Sequence, residues 1–217
     1  MYTKVITQLQ QAYDAAAANR DTTALDDWKL AERQYFLNLL HSEDKTTLLE
    51  IGAGPGHFGR YFQDNGLIVT CTDLSPAMVR LCQAKGLTAY VMDFLHLDFP
   101  DQSFAALFAL NCLLHVPLAD KPHVLAEIHR LLQPGGLFYL GIYGGEEFEG
   151  IWADDFHEPK RFFSYHTDEA IQNLVAPLFD LVYFRPIELA EGRPGFHFQS
   201  MIWRRREPDN KRENKSE

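Results

Sequence analysis

The chain has 217 residues, 46% hydrophobic and 13% aromatic, which suits one domain of ordinary size with a full core. Its formal net charge of -10 argues against a protein that grips nucleic acid by its phosphates. Three widely spaced cysteines, Cys71, Cys82 and Cys112, offer no disulfide framework and no zinc signature; with a polar N-terminus unlike a signal peptide and no stretch that approaches a membrane span, a soluble cytoplasmic protein is expected.

Residues 1–42 read as helices. Val5, Leu9, Tyr13 and Ala16 share a face, a loop is expected around Asn19-Arg20-Asp21-Thr22, and a second helix carries Trp28, Leu30, Tyr35, Phe36, Leu39 and Leu40. Thr47 to Ile51 is the first strand. It runs into Glu50-Ile51-Gly52-Ala53-Gly54-Pro55-Gly56, and then into a helix that stops at Asn65-Gly66. Leu67 to Thr72 is the second strand, closed by Asp73. Ser75 suits an N-cap and Pro76 the first helical position that follows. Thr88 to Met92 is the third strand. Phe104 to Leu110 is almost unbroken in its apolar character, as a parallel strand buried on both faces should be. A helix from about Ala119 to Leu132 precedes Gln133-Pro134-Gly135-Gly136 and a fifth strand, Leu137 to Tyr143. Gly144 to Tyr165 has no clear periodicity. A helix from Asp168 to Leu178 and two strands, Leu181 to Arg185 and His197 to Trp203, complete the pattern, and residues 207–217 are expected to be a disordered tail.

Strand and helix alternate, so the expected fold is α/β: a doubly wound, seven-stranded, mostly parallel sheet with a final antiparallel strand and added N-terminal helices. One domain over residues 1–206 is expected, with no internal repeat. The glycine turn after the first strand is the strongest functional signal. Glycine reaches positive φ and keeps no Cβ between backbone and ligand. The following helix N-terminus favours a nucleotide-like ligand, and Asp73 stands one strand later, where a ribose would lie. Gly54-Pro55-Gly56-His57-Phe58-Gly59 also matches the dinucleotide fingerprint formally, so a nicotinamide dehydrogenase is a competing reading. However, Gly52 comes first after the strand.

The register Glu50-x-Gly52-x-Gly54-x-Gly56 resembles motif I of the class I S-adenosylmethionine (SAM)-dependent methyltransferases, and the likeness extends from about Thr47 to Arg206. The resemblance implies SAM as cofactor. It implies that Glu50, Gly52, Ala53, Gly54 and Gly56 approach the methionine part, and that Asp73 accepts both ribose hydroxyls. It further implies that Leu74 and Met78 lie beside adenine, that Asp93 with Phe94 holds the adenine edge, and that the Asn111 backbone lies near the reacting methyl. Leu132-Gln133-Pro134-Gly135-Gly136-Leu137 resembles a structural turn of the same family. Asn111-Cys112-Leu113-Leu114 departs from the Asn-Pro-Pro-aromatic motif of enzymes that methylate exocyclic amines, which speaks against nucleic acid as substrate.

Methyl transfer needs alignment and exclusion of water, and at times a base. His115, just after the fourth strand, is the candidate catalytic base; packing against the next helix is its plain alternative. Tyr143 is a candidate wall of the acceptor pocket. Tyr13, Trp28 and Arg33 are candidates for a lid formed by residues 1–42, with Arg33 able to pair with the cofactor carboxylate. Residues 144–165 are read as the variable substrate loop. His157, His166 and His197, with Asp154 and Asp155, lack ligand spacing, so no metal is expected. The expected activity is methyl transfer from SAM to a small organic acceptor. A non-catalytic SAM- or nucleotide-binding regulator or partner subunit is the alternative.

Overall fold

The computed structural model describes residues 2–189 and 194–207. In chain order the elements are α1 (Tyr2–Thr22), α2 (Asp27–Ser42), β1 (Thr47–Ile51), α3 (His57–Asp64), β2 (Ile68–Asp73), α4 (Pro76–Ala84) and β3 (Thr88–Val91). Then come β4 (Phe104–Leu110), a 3-10 turn (Leu113–His115), α5 (Lys121–Leu131), β5 (Leu132–Gly144), β6 (Phe148–Ile151), β7 (Phe162–Tyr165), α6 (Asp168–Val175), β8 (Phe179–Glu188) and β9 (His197–Arg205).

The main sheet has the order β3-β2-β1-β4-β5-β9-β8. β1 to β5 pair in parallel, and β9 lies antiparallel between β5 and β8. Alternate residues of one strand feed opposite layers. On β4, Ala106 and Phe108 join Phe36, Phe58 and Phe62 of α2 and α3, while Leu107 and Ala109 join Leu125 and Ile128 of α5. That two-sided burial is why Phe104–Leu110 is apolar throughout.

Three details differ from the sequence reading. The expected loop at Asn19–Thr22 is the last turn of α1, and the break falls at residues 23–26. Residues 144–165 are not wholly irregular, because β6 and β7 form a separate antiparallel pair. β5 starts at Leu132, with a register shift opposite Phe104 to Ala106 that absorbs the Pro-Gly-Gly segment. Most of the link at Glu191–Gly195 and the expected tail beyond Glu207 lie outside the described residues.

α1 crosses the edge of the sheet where β1, β2 and β4 end, and Val5 and Leu9 anchor it in the core. Asp14 of α1 accepts hydrogen bonds from Ser75 Oγ at 2.5 Å and from the Ala77 N–H at 3.0 Å. A carboxylate at the N-terminus of α4 meets the positive end of that helix.

Candidate functional site

The strand order reverses between β1 and β4, which opens a crevice outside the carboxyl ends of the strands. It is lined by Gly52, Gly54, Asp73, Leu74, Met92, Asp93, Phe94, Leu110, Asn111, Cys112 and His115, and roofed by Leu9, Tyr13 and Arg20 of α1. A second cavity of about 190 Å³ adjoins it across the glycine turn. Glu50, Ala53, Pro55, His57 and Phe58 line it, with Leu25 and Lys29 of the α1–α2 connection.

Each glycine of the turn has its own reason. Gly54 has φ +56° and open space where a Cβ would stand, so its backbone faces the crevice unshielded. A Cβ on Gly52 would meet Cys112, and one on Gly56 would meet Cys82 and Leu87. The three cysteines hold this region together: Cys112 Sγ donates to the Ile51 carbonyl, Cys82 Sγ to the Gly54 carbonyl and Cys71 Sγ to Glu50 Oε2, at 3.3, 3.2 and 3.6 Å.

Asp73 ends β2 with its two oxygens oriented by the chain itself. Oδ2 accepts from the Gly54 N–H and Oδ1 from the Ser75 N–H, both at 2.8 Å. Each carboxylate oxygen retains a lone pair for a hydroxyl donor. Asp93 is oriented in the same way, by the Leu95 N–H at 2.7 Å and by His96. Asn111 sits at φ 55°, and its Oδ1 is buried without a partner. Burial pushes the Glu50 carboxyl up to about 8, so it is protonated at neutral pH.

His115 is buried, and its surroundings fix its tautomer. Nδ1 lies 2.7 Å from the Phe162 carbonyl, which can only accept, so Nδ1 carries the hydrogen. Burial pushes its pKa down to about 3, which leaves Nε2 bare to accept the Tyr13 hydroxyl at 2.6 Å. Tyr13 Oη in turn accepts from Arg161 Nη1 at 3.1 Å, and Arg161 is locked to Asp155 by two side-chain bonds of 2.9 and 2.7 Å. A chain of polar groups thus joins α1, the 3-10 turn and the segment before β7.

The structure brings together most of the residues singled out from sequence, and leaves some apart. Gly52, Gly54, Asp73, Leu74, Asp93, Phe94, Asn111 and His115 line the crevice, and Glu50 and Ala53 the adjoining cavity. Met78 does not reach either: it is fully buried in α4, where the pattern of a helix facing the sheet needs a core residue. Gly56 is the left-handed N-cap of α3 and packs against α4. Trp28 packs against Phe198 with ring centroids 4.4 Å apart and the planes tilted by 48°, and Tyr143 packs between Phe196 and Phe198. Arg33 lies over the Tyr61 ring, 3.4 Å from its centroid, away from the crevice. Arg20 is the cation that lines both cavities. Its spacing of seven from Tyr13 places the two on one helical face once α1 is allowed to run to Thr22. Among the described residues no group of three or more His, Cys, Asp or Glu could hold a metal ion, and no helix is long and apolar enough to cross a membrane.

Residues 49–140 match the family model described as a methyltransferase domain. The chain is 28% identical over 128 residues to a malonyl-[acyl-carrier protein] O-methyltransferase of Serratia marcescens, covering 58% of this chain and 49% of that protein. It is 34% identical over 105 residues to the 27-O-demethylrifamycin SV methyltransferase of Amycolatopsis mediterranei, covering 44% and 38%. The chain therefore spans about half or less of the length of these two relatives. Its fold is similar to that of the Burkholderia thailandensis 1,6-didemethyltoxoflavin-N1-methyltransferase, solved with 1,6-didemethyltoxoflavin and S-adenosylhomocysteine; the TM-score is 0.73 at 22% identity, over 94% of this chain and 90% of that one.

Proposed function

We propose that this chain, which matches a methyltransferase-domain model over residues 49–140 and shares the fold of a methyltransferase solved with S-adenosylhomocysteine, is a class I SAM-dependent methyltransferase that transfers a methyl group from SAM to a small organic acceptor. The observation that carries the proposal is the pairing of an unshielded Gly54 backbone with an Asp73 carboxylate whose orientation that same backbone fixes. These residues fit the cofactor. Asp73 would take the ribose hydroxyls through charge-assisted bonds. Leu74, Met92 and Phe94 would pack on the adenine, with Asp93 at its edge. The open space at Gly54 and the unpartnered Asn111 Oδ1 suit the methionine part, and Arg20 offers its carboxylate a guanidinium for which no ion-pair partner is seen among the described residues. The cofactor supplies an electrophilic methyl group on a sulfonium.

The chain's own residues then position the acceptor and exclude water. α1 covers the crevice with Leu9, Tyr13 and Arg20, in keeping with a lid. Tyr13 Oη donates to His115 Nε2 and accepts from Arg161, a hydrogen-bond relay that fixes the hydroxyl at the crevice, where it can orient an acceptor hydroxyl or amine. We read His115 as the anchor of this relay and not as the catalytic base, because burial holds its pKa at about 3, too low to take up a proton at neutral pH. The 144–165 segment joins the site through Phe162 and Arg161, which supports reading it as part of the acceptor side. The net charge of -10 supports a small acceptor over nucleic acid. The three free cysteines favour a cytoplasmic location.

The test is incubation of the full chain with isotopically labelled SAM and a metabolite extract, read by mass spectrometry. Labelled product with stoichiometric S-adenosylhomocysteine is expected. SAM binding without turnover in any extract would instead favour the regulator.

A further inference from the structure

The titratable groups that line the crevice and the adjoining cavity are each engaged, or hold the wrong proton state, for taking a proton from an acceptor. His115 turns its Nδ1 hydrogen to the Phe162 carbonyl, and its Nε2 accepts from Tyr13, so neither nitrogen is free. Burial raises the Tyr13 hydroxyl and the Cys112 thiol above their ordinary ranges, so both keep their protons. Glu50 is protonated at neutral pH for the same reason. Asp73 and Asp93 are tied to backbone N–H groups at the ribose and adenine end. His57 lines only the adjoining cavity, with its Nε2 enclosed 3.8 Å from Asp21 Oδ1. Among the described residues, these walls offer an acceptor no base.

Charge is divided along the crevice. The acids Asp73 and Asp93 stand at one end. At the other, two guanidiniums approach the Tyr13 ring, Arg20 at 5.3 Å and Arg161 at 5.5 Å from its centroid. Asp155 neutralises Arg161, whereas Arg20 has no ion-pair partner among the described residues and borders both cavities. A guanidinium carries five N–H donors along more than one edge, so Arg20 can meet the cofactor carboxylate on one edge and a second carboxylate on another. Leu9, Leu110 and Cys112 make the neighbouring walls apolar beneath the α1 roof. An enclosure of that kind favours a displacement in which a cation and an anion cancel, because both lose charge on the way to the transition state.

We propose that the acceptor is a small carboxylate, held by Arg20 and methylated on a carboxylate oxygen, so that the product is a methyl ester. The inference rests on the methyl-transfer reading and adds the chemical class of the acceptor. A carboxylate is ionised at neutral pH by its own acidity and needs no base. The new O–C bond forms from an oxygen lone pair as the methyl–sulfur bond breaks with its electron pair left on sulfur. A cation and an anion become two neutral groups, and no proton is released. A hydroxyl or amine carried elsewhere on such an acceptor is oriented by Tyr13 and stays unmethylated.

The experiment uses the full chain with SAM tritiated in its methyl group. A metabolite extract is divided by anion exchange into an acidic fraction and a neutral-to-basic fraction. Label is expected to move only to the acidic fraction, and mild alkali should release it as volatile methanol, as it does from esters but not from ethers, methylamines or thioethers. Binding is read separately by NMR of the Arg20 guanidinium in the complex with S-adenosylhomocysteine. The acidic fraction should shift those resonances, and the neutral-to-basic fraction should leave them in place. Label that survives alkali, or that goes to the neutral-to-basic fraction, would overturn the proposal and leave the methyltransferase reading standing. So would Arg20 resonances that ignore the acidic fraction. Failure to bind S-adenosylhomocysteine, or binding with no transfer to either fraction, would overturn the methyltransferase reading and the proposal with it.

Discussion

At the scale of single residues, the site is organised by groups that hold one another before any ligand arrives. Asp73 ties Gly54 and Ser75 and still offers lone pairs to the crevice. Asp73→Ala should therefore lower S-adenosylhomocysteine affinity at least about tenfold by calorimetry, since charge-assisted bonds are worth roughly 1.5–3 kcal/mol each. It should also lower the melting temperature modestly, because two backbone N–H groups lose their acceptor. Tyr13→Phe keeps the ring and removes the relay. Cofactor affinity should stay within about twofold, while kcat falls by about tenfold or more because the acceptor loses the hydroxyl that orients it. Two buried groups make stability depend on pH in opposite senses. His115 is depressed to about 3, so between about pH 6.5 and 3 the unfolded chain binds more protons than the folded one, and its contribution falls as pH falls. Glu50 is raised to about 8, so its contribution is present below about pH 4.5 and is lost as pH rises toward 8. Denaturant unfolding should accordingly show that His115→Gln suppresses about 2 kcal/mol of loss between pH 7 and pH 5, and that Glu50→Gln suppresses loss toward alkaline pH. Asp73, Gly52 and Gly54 were legible because a strand end and a glycine turn write themselves into local sequence, whereas Asp93 entered through the family resemblance. The location of Arg20 was not, because it depended on where α1 ends. Met78 was placed beside adenine by the family resemblance, which does not say how far into α4 the side chain turns; here it is fully buried and lines neither cavity.

At the scale of elements, α1 and the β6–β7 pair decide the shape of the site. α1 is held at three points: Asp14 on the N-terminus of α4, Asp21 on Lys85 at 2.5 Å, and Tyr13 in the relay. Asp14→Ala removes one of them and should cost about 1 kcal/mol, the usual worth of a lost cap. It should speed S-adenosylhomocysteine release in stopped-flow more than Asn65→Ala, a change of similar local size at the C-cap of α3. The hairpin is fastened from below by Lys121, whose Nζ donates to the Ser164 carbonyl and Oγ at 3.0 Å and meets His166 Nε2. Burial lowers that lysine to about 7. β4 was readable to the residue because burial on both faces leaves an unbroken apolar run. β6 and β7 were not, because four-residue strands with Glu149, Gly150 and Ser164 leave no alternation to follow. The last turn of α1 was read as a loop because Asn19, Asp21 and Thr22 are poor helix formers, and contacts such as Asp21 with Lys85 override that preference.

At the scale of the whole molecule, the crevice lies where an open sheet of this order must put it, at the reversal between β1 and β4, with α1 laid across. The fold, the crevice and its acids follow from strand alternation and turn chemistry, whereas the roof comes from long-range packing between residues about 100 to 150 apart, such as Tyr13 with His115 and Arg161. The central claim is that SAM occupies this crevice with its reacting end toward Tyr13 and His115. The most direct measurement is a crystal structure of the complex with S-adenosylhomocysteine. The account requires the ribose hydroxyls on Asp73, the adenine between Leu74 and Phe94, and the sulfur facing the Tyr13–His115 pair. A sulfur directed away from that pair, or a ribose that leaves Asp73 unbonded, would contradict it.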